Sequence, residues 1–279
     1  MSTQFGIMQG RLVPPEEGRF QSFPRERWRD EFPNAVAAGI DYIEWIVDAY
    51  GADVNPILSA NGLSEFNALK RQHGIATPSI CADWFMDYPF LRCTSAERVE
   101  REQFLHRLLP IARGIGADHV VLPFVDISRI DTEEDKNIVV EIMMTAAPIA
   151  QQNGIELHLE TDLGPNDFAA LLERIPHPYV KANFDSGNSS GLGYVASEEF
   201  AAYGHRIGSV HIKDRRSKFV GSIATMPLGE GSADFADVFQ SIKRIGYDRG
   251  LTLQVARGED GDEVNWIRRQ LAFVRGFWP

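Results

Sequence analysis

Short apolar segments alternate with amphipathic segments eight times along this chain, without a break in composition. The apolar segments predict strands at Gln4–Gln9, Tyr42–Val47, Ala76–Cys81, His119–Phe124, Ile155–Glu160, Val180–Asp185, Ile207–Lys213 and Leu251–Val255. The amphipathic segments predict helices at about Arg25–Ala38, Leu63–Gln72, Ser95–Gly114, Glu133–Gln152, Pro165–Arg174, Ser197–Tyr203, Ala233–Ile245 and Glu263–Phe273. Regular alternation of this kind favours a parallel sheet, because each helix returns the chain to the starting edge of the next strand.

Eight strand–helix units suit one closed barrel. A chain of 279 residues has the length of a single-domain barrel of this type. A doubly wound open sheet is the alternative, but no G-x-G-x-x-G motif follows the first strand. We therefore predict the α/β class, with a single (β/α)8 TIM-barrel domain over residues 1–279.

The charge and cysteine content exclude several classes of partner and location. A formal net charge of -11 argues against a nucleic-acid or anionic-membrane partner, since phosphate groups attract basic surfaces. The first residues lack the long apolar stretch of a signal peptide, and no apolar run is long enough to span a membrane. Two cysteines give no disulfide framework and fit a reducing compartment, so we expect a cytoplasmic protein.

Each of the last four predicted strands ends at or near a side chain of a type that binds metal ions. Glu160, Asp185, His211 and Gln254 follow one another after 25, 26 and 43 residues, the spacing of successive strand–helix units. In a (β/α)8 barrel the carboxyl ends of the strands form the catalytic face. We therefore predict that these four side chains bind one metal ion, although Asp185 alone would equally suit a helix cap.

This mixture of ligands indicates the type of ion and of chemistry. Two carboxylates, one amide oxygen and one imidazole suit Mn²⁺, Mg²⁺ or Co²⁺, and Zn²⁺ is also compatible. Such an ion can hold two neighbouring oxygens of a sugar and stabilise the enediolate that forms when an adjacent C–H loses its proton.

Polar side chains also occupy positions beneath and around this site. Two residues before each predicted ligand stand His158, Asn183, Ser209 and Thr252, which face the same way and suggest a hydrogen-bonded supporting layer. One step deeper, Glu156 and Lys181 are expected to pair. Candidates for substrate contact are His158 of this layer and, around the mouth of the barrel, Arg11, Glu44, Asn188, Lys213, Asp214 and Arg215. The cations among them, together with Arg216, Lys218 and Arg257, could bind a phosphate or carboxylate group of the substrate.

Five segments resemble the sugar phosphate isomerase/epimerase family, which has a xylose isomerase-like TIM barrel. They are GIMQGRL at residues 6–12, LHLE at 157–160, NFDSGN at 183–188, HIKDR at 211–215, and PLGEG with a following DF at 227–235. The resemblance implies that Glu160, Asp185, His211 and residue 254 are metal ligands, and that residues 160 and 254 form the catalytic acid/base pair. It also implies a small sugar or sugar phosphate as substrate, and a homodimer or homotetramer.

The chain departs from this family at two positions. Gln254 replaces the usual glutamate, and an amide can bind a metal but cannot take up a proton. Asn188 stands where related 3-epimerases often have a histidine. A metal-dependent isomerase or epimerase is the first hypothesis, with Asp214, Glu44 or a metal-bound water as the second group beside Glu160. A lyase resembling inosose dehydratase and a catalytically silent sugar-binding relative are the alternatives.

Overall fold

Eight parallel strands close into a barrel in the computed structural model, which describes residues 3–217, 219 and 224–278. Each strand pairs with its neighbours in sequence, and the first strand pairs with the last. The strands are β1 (Phe5–Met8), β2 (Tyr42–Ile46), β3 (Ser79–Cys81), β4 (His119–Phe124), β5 (Glu156–Thr161), β6 (Val180–Asp185), β7 (Ile207–Ile212) and β8 (Leu251–Leu253). The predicted (β/α)8 barrel is confirmed.

Helices connect the strands and cover the barrel. They are α1 (Glu31–Ala38), α2 (Ala60–His73), α3 (Trp84–Asp87), α4 (Ser95–Ile115), α5 (Glu133–Asn153), α6 (Pro165–Glu173), α7 (Ser186–Leu192), α8 (Ala196–Tyr203), α9 (Phe235–Arg244) and α10 (Glu263–Phe277). The sequence did not predict the short helices α3 and α7, or the antiparallel ribbon of Asp214–Arg215 with Thr225–Met226. All three lie at the carboxyl ends of strands. Among the described residues, no helix combines the length and apolar character needed to cross a membrane.

Local side-chain chemistry explains where several helices begin and end. Thr94 and Glu97 form a capping box at the start of α4, in which each side chain binds the backbone N–H of the other residue. Gly116 ends α4 in the left-handed conformation, at φ 80°. Helix α1 begins at Glu31 rather than near Arg25, because Pro33 is tolerated only in the first turn of a helix.

The core lies between the barrel and its helices, where apolar side chains of the strands meet those of the helices. Its largest fully buried member is Trp45 of β2, which packs edge-on against Phe66 of α2 at a ring-centroid distance of 4.7 Å. Phe32 of α1 packs against the same tryptophan. Trp45 therefore belongs to the core between the barrel and its helices.

Candidate metal centre

Three of the four predicted ligands meet at the carboxyl end of the barrel. Glu160 of β5, Asp185 of β6 and His211 of β7 each offer one ligand atom, and these atoms lie within 4.8 Å of one another. His211 Nδ1 is 3.7 Å from Glu160 Oε2 and 3.9 Å from Asp185 Oδ2. All three side chains are buried, so the cluster is a preformed, largely dehydrated group of metal-ligand atoms.

His211 is oriented by a second carboxylate on its other side. Its Nε2 lies 2.8 Å from Glu44 Oε1 of β2, and both side chains are fully buried. Burial alone would favour the neutral ring, but Glu44 and the two carboxylates near Nδ1 raise the pKa of His211 above its usual value. A carboxylate behind a ligating histidine fixes which ring nitrogen faces the metal. Here Nδ1 faces Glu160 and Asp185.

Asp185 uses its two oxygens differently. Oδ1 accepts hydrogen bonds of 2.8 Å from the backbone N–H groups of Gly187 and Asn188, which caps helix α7. Oδ2 is buried and has no hydrogen bond among the described residues. An unbonded buried carboxylate oxygen is costly. Because Oδ2 faces the other two ligand atoms, the donor set fits a divalent cation.

Glu160 accepts a short hydrogen bond from the side chain of Asn188. The side-chain amide of Asn188 donates to Oε1 at 2.6 Å, while Oε2 faces His211. Burial, and then the charge of Asp185, raise the pKa of Glu160 above its usual value. A carboxylate so placed can exchange protons near neutral pH.

Gln254 follows strand β8, and its side chain lines the same cavity as Glu160. Its Oε1 accepts a hydrogen bond of 3.3 Å from Lys213 Nζ, and its Nε2 donates to Gln21 Oε1 at 2.9 Å. Lys213 Nζ also lies 3.5 Å from Asp185 Oδ2. The amide therefore adjoins the cluster, with the lysine ammonium between Gln254 and Asp185.

A cavity of about 290 Å³ opens above the cluster. Three residues predicted to contact substrate, Asn188, Lys213 and Arg215, line it together with Glu160 and Gln254. Arg215 Nη1 donates to Asn188 Oδ1 at 2.9 Å, so the two cations and one amide form a connected polar wall.

Two other predicted substrate contacts lie inside the barrel and not in this cavity. His158 is fully buried, with Nδ1 2.8 Å from Ser209 Oγ and Nε2 3.0 Å from Glu156 Oε2. Glu44 lies behind His211. Their positions do not support substrate contact, because one or more layers of side chains separate them from the mouth. Both residues instead support the ligands above them.

The side chains of Arg11 and Asp214 are also occupied by hydrogen bonds to backbone groups. Arg11 is 2% exposed and donates to the carbonyl oxygens of Val255 and Phe20, which ties together the loops after β8 and β1. Asp214 is fully buried, and its two oxygens accept from the backbone N–H groups of residues 229, 231 and 233. Asp214 thus holds the LGEG segment in place, and its burial does not support the predicted contact with substrate. Lys218 lies outside the described residues.

The polar layer predicted beneath the ligands is hydrogen-bonded as expected. Ser209 Oγ donates to Asn183 Oδ1 at 2.6 Å, and Asn183 Nδ2 lies 3.2 Å from His211 Nδ1. The predicted pair of Glu156 with Lys181 was wrong. Lys181 is aligned with His158 in the sheet, and Glu156 pairs with Arg249 from the loop before β8.

Sequence reasoning gave no role to Gln21, a residue of the long loop between β1 and α1. Its side chain accepts from Arg11 Nη2 at 2.9 Å and donates to Asp83 Oδ2 at 2.7 Å, while Gln254 binds its oxygen. No periodicity marks a loop residue of this kind. Only the folded position of the loop brings it to the cavity.

The family model described as "Xylose isomerase-like TIM barrel" matches residues 32–276. The putative L-ribulose-5-phosphate 3-epimerase SgbU of Escherichia coli K12 is 22% identical over 240 residues, covering 82% of this chain and 83% of the relative. The solved structure of IOLI protein with a bound zinc atom superposes with a TM-score of 0.78, at 17% identity and 99% coverage of both chains. A structure of L-ribulose 3-epimerase gives a TM-score of 0.77, at 17% identity, over 100% of this chain and 95% of the other.

Proposed function

Because this chain belongs to the xylose isomerase-like TIM barrel family, we propose that it is a metal-dependent epimerase or isomerase of a small sugar or sugar phosphate. The proposed reaction removes a proton next to a carbonyl and passes through an enediolate. The names of relatives such as the putative L-ribulose-5-phosphate 3-epimerase support this class of reaction.

One observation carries the proposal. A buried carboxylate, Glu160, stands beside an unbonded oxygen of Asp185 and a histidine nitrogen of His211, at the floor of a cavity. Glu160, Asp185 and His211 would hold a divalent cation, with the amide oxygen of Gln254 as a fourth oxygen donor. The cation would supply Lewis acidity that polarises a substrate carbonyl. The oxygen-rich donor set suits Mn²⁺, Mg²⁺ or Co²⁺, and Zn²⁺ is compatible with it.

Glu160 is the proposed base. Its pKa is raised by burial, which brings the carboxyl group closer to the pH at which it has to take up and release protons. The hydrogen bond from Asn188 to Oε1 fixes the direction of the carboxylate. Gln254, proposed from the family pattern as the other member of the catalytic pair, has an amide that cannot transfer a proton. It would contribute by coordination and orientation.

The cavity limits the substrate. Ligand pockets have volumes of roughly 300–1,000 Å³, and a cavity of about 290 Å³ therefore suits a monosaccharide better than a larger glycoside. Lys213 and Arg215 on its wall would bind a phosphate or carboxylate of the substrate. Cytoplasmic location and assembly into a homodimer or homotetramer remain predictions.

The test begins with metal analysis of the purified protein and titration with Mn²⁺, Co²⁺, Mg²⁺ and Zn²⁺. L-Ribulose, L-ribulose 5-phosphate and D-tagatose are then incubated with the metal-loaded protein in deuterated water, and C–H exchange is followed by NMR. We expect exchange on at least one sugar. We expect Glu160→Gln to slow it by at least about 100-fold, the usual contribution of a general base.

Glu173→Gln is the matched control, because Glu173 is an exposed glutamate of helix α6, away from the cavity. This change should leave exchange unaltered. Metal-loaded protein that exchanges no C–H bond of any of these sugars would contradict the proposal and favour the silent sugar-binding relative.

A further inference from the structure

The proposed function leaves one proton transfer without a donor. An epimerase removes a proton from one face of a carbon and returns a proton to the other face, so it needs two groups. Gln254 cannot transfer a proton, and Glu44 and Asp214 are buried away from the cavity. If the second group is a side chain rather than a metal-bound water, it is another residue on the cavity wall.

We propose that Asp83 is the second proton-transfer group, and that it returns the proton to the substrate face opposite the one from which Glu160 removes it. The inference rests on the proposed function, since it assigns a residue to the same reaction. It goes further by predicting epimerisation by two groups, rather than isomerisation by Glu160 alone.

Asp83 is placed by strand β3. It follows Cys81 by two residues, at the carboxyl edge of the barrel, and precedes the short helix α3. Its carboxylate lines the same cavity as Glu160 and Gln254. Asp83 is partly exposed, whereas Glu44 and Asp214 are fully buried, so a small ligand in the cavity can reach it.

Gln21 connects Asp83 to Gln254. The Nε2 of Gln21 donates to Asp83 Oδ2 at 2.7 Å, and its Oε1 accepts from Gln254 Nε2 at 2.9 Å. Asp83 and Gln254 are therefore linked through one side-chain amide, that of Gln21. In the family pattern residue 254 serves the face opposite Glu160, so a carboxylate at Asp83 lies next to the position where that proton donor is missing.

The surroundings of Asp83 shift the equilibrium of its carboxyl group towards the acid form. Burial raises its pKa, and the charges of Asp48 and Glu44 act in the same direction, whereas hydrogen bonds from Gln21 and Cys81 oppose them. The thiol of Cys81 is 3.2 Å from Asp83 Oδ1. Burial and neighbouring carboxylates raise the pKa of Cys81 as well, so it remains a neutral thiol beside Asp83.

The proton balance closes without another reactant. The Glu160 carboxylate takes the substrate proton, and the C–H electron pair forms the enediolate. In the proposed cycle Asp83 takes up a proton from water before the reaction, and this proton is then donated to the opposite face of the same carbon. Glu160 is left protonated and Asp83 ionised, and exchange of one proton each with water restores the starting state. The two groups exchange roles in the reverse direction.

The decisive experiment separates proton removal from proton return in the Asp83→Asn variant. Metal-loaded protein is incubated in deuterated water with the sugar of the above panel that exchanges fastest. Deuterium incorporation into the remaining substrate and formation of the epimer are measured together. Because Glu160 is intact, we expect exchange to stay within about threefold of the unmodified protein. Epimer formation should fall by at least about 100-fold.

Two comparisons keep the result interpretable. Asp260→Asn removes an exposed carboxylate in the loop after β8 that does not line the cavity, and it should leave the ratio of epimer to exchange unchanged. Asp83→Glu retains a carboxyl group and should recover part of the epimer formation. Metal affinity, measured by titration, should be the same for the unmodified protein and Asp83→Asn, which shows that the variant is folded.

Each remaining outcome counts against one claim. An unchanged ratio of epimer to exchange in Asp83→Asn overturns the role of Asp83 and leaves the proposed function standing. Loss of both exchange and epimer with metal still bound also overturns it, because Asp83 would then not act after proton removal. Absence of exchange in the unmodified protein is instead a failure of the proposed function.

Discussion

The two carboxylate oxygens of Asp185 have different surroundings, and each suits a different role. The sequence left two interpretations open, a helix cap or a metal ligand, and the structure gives each oxygen a separate environment. Oδ1 caps α7 through two backbone N–H groups, while Oδ2 is left unbonded beside Glu160 and His211. The cap holds the carboxylate in place, so helix α7 helps to aim the candidate ligand.

Glu31 permits a prediction about pH and stability. The side chain is fully buried, and Oε1 accepts from the backbone of Gly10 at 2.5 Å. Burial raises its pKa from 4.5 to about 7, so the folded state binds the proton more tightly than the unfolded state. The stabilisation this provides is complete below about pH 4.5 and is lost as the pH rises through about 7. Relative to the unmodified protein, Glu31→Gln should therefore gain about 2–3 kcal/mol in unfolding free energy between pH 5 and pH 8.

Urea unfolding at the two pH values measures this difference. Glu65→Gln is the control, since Glu65 is an exposed partner of Arg29 and its pKa is lowered by that hydrogen bond. It should show no such gain. Equal pH dependence in Glu31→Gln and the unmodified protein would contradict the assigned pKa shift.

Strands β5, β6 and β7 together place a layer of polar side chains beneath the candidate ligands. The two-residue period of a strand places His158, Asn183 and Ser209 one layer below the ligands, and the structure connects all three by hydrogen bonds. The layer reaches His211 through Asn183. It therefore joins three strands into one support for the candidate metal centre.

Ser209→Ala tests this support. The change breaks the hydrogen bonds to His158 and Asn183 and leaves buried polar groups without partners, so we expect a loss of about 1–3 kcal/mol in unfolding free energy. We also expect weaker metal binding, by about 10-fold, because Asn183 and His211 lose their orientation. Unfolding curves and metal titration measure the two effects.

Ser241→Ala is a closely matched control. Ser241 of α9 is a fully buried serine whose hydroxyl has no hydrogen bond among the described residues. Removing that hydroxyl should cost little and leave metal binding unchanged. If the two variants behaved alike, the polar layer would have no supporting role.

Closure of the whole barrel depends on the contact between its first and last strands. Tyr42 of β2 crosses this seam, and its hydroxyl is 2.9 Å from Thr252 Oγ1 of β8. Gly6 of β1 lies directly against the tyrosine ring, where an added Cβ would be 1.9 Å from Tyr42 Cε2. A glycine is required there because the ring occupies the space of any side chain.

Gly6→Ala should therefore destabilise the molecule as a whole. We expect a loss of about 3 kcal/mol in unfolding free energy, at the upper end for overpacked cores. In a Tyr42→Leu background the same change should cost less, because the smaller side chain removes the clash. Urea unfolding of the four proteins gives the coupling.

Gly276→Ala serves as the reference for this cycle. Gly276 is exposed on helix α10 and an added Cβ would meet nothing within 4 Å, so alanine should raise the unfolding free energy by about 0.5–1 kcal/mol. Equal losses for Gly6→Ala in both backgrounds would show that the tyrosine is not the cause.

The fold could be predicted because its signals are local. The period of apolar residues gave the strands, and capping groups such as Thr94 with Glu97 marked helix ends. The same period shows which residues of one strand face the same way, so it also predicted that Glu160, Asp185 and His211 would come together. Short helices such as α7 were missed, because glycine and serine carry no helical pattern.

The sequence by itself determined the barrel, its strand ends and the shared facing of the ligand-type residues, since these depend on short-range periodicity and on the parallel order of strands. Only the tertiary structure decided which of the other polar residues reach the cavity. The side chains of Arg11 and Asp214 hydrogen-bond to the backbone of loops, and Glu44 lies behind His211. Gln21 hydrogen-bonds to both Asp83 and Gln254. These positions depend on loop paths and barrel stagger, which follow from packing between residues far apart in the chain.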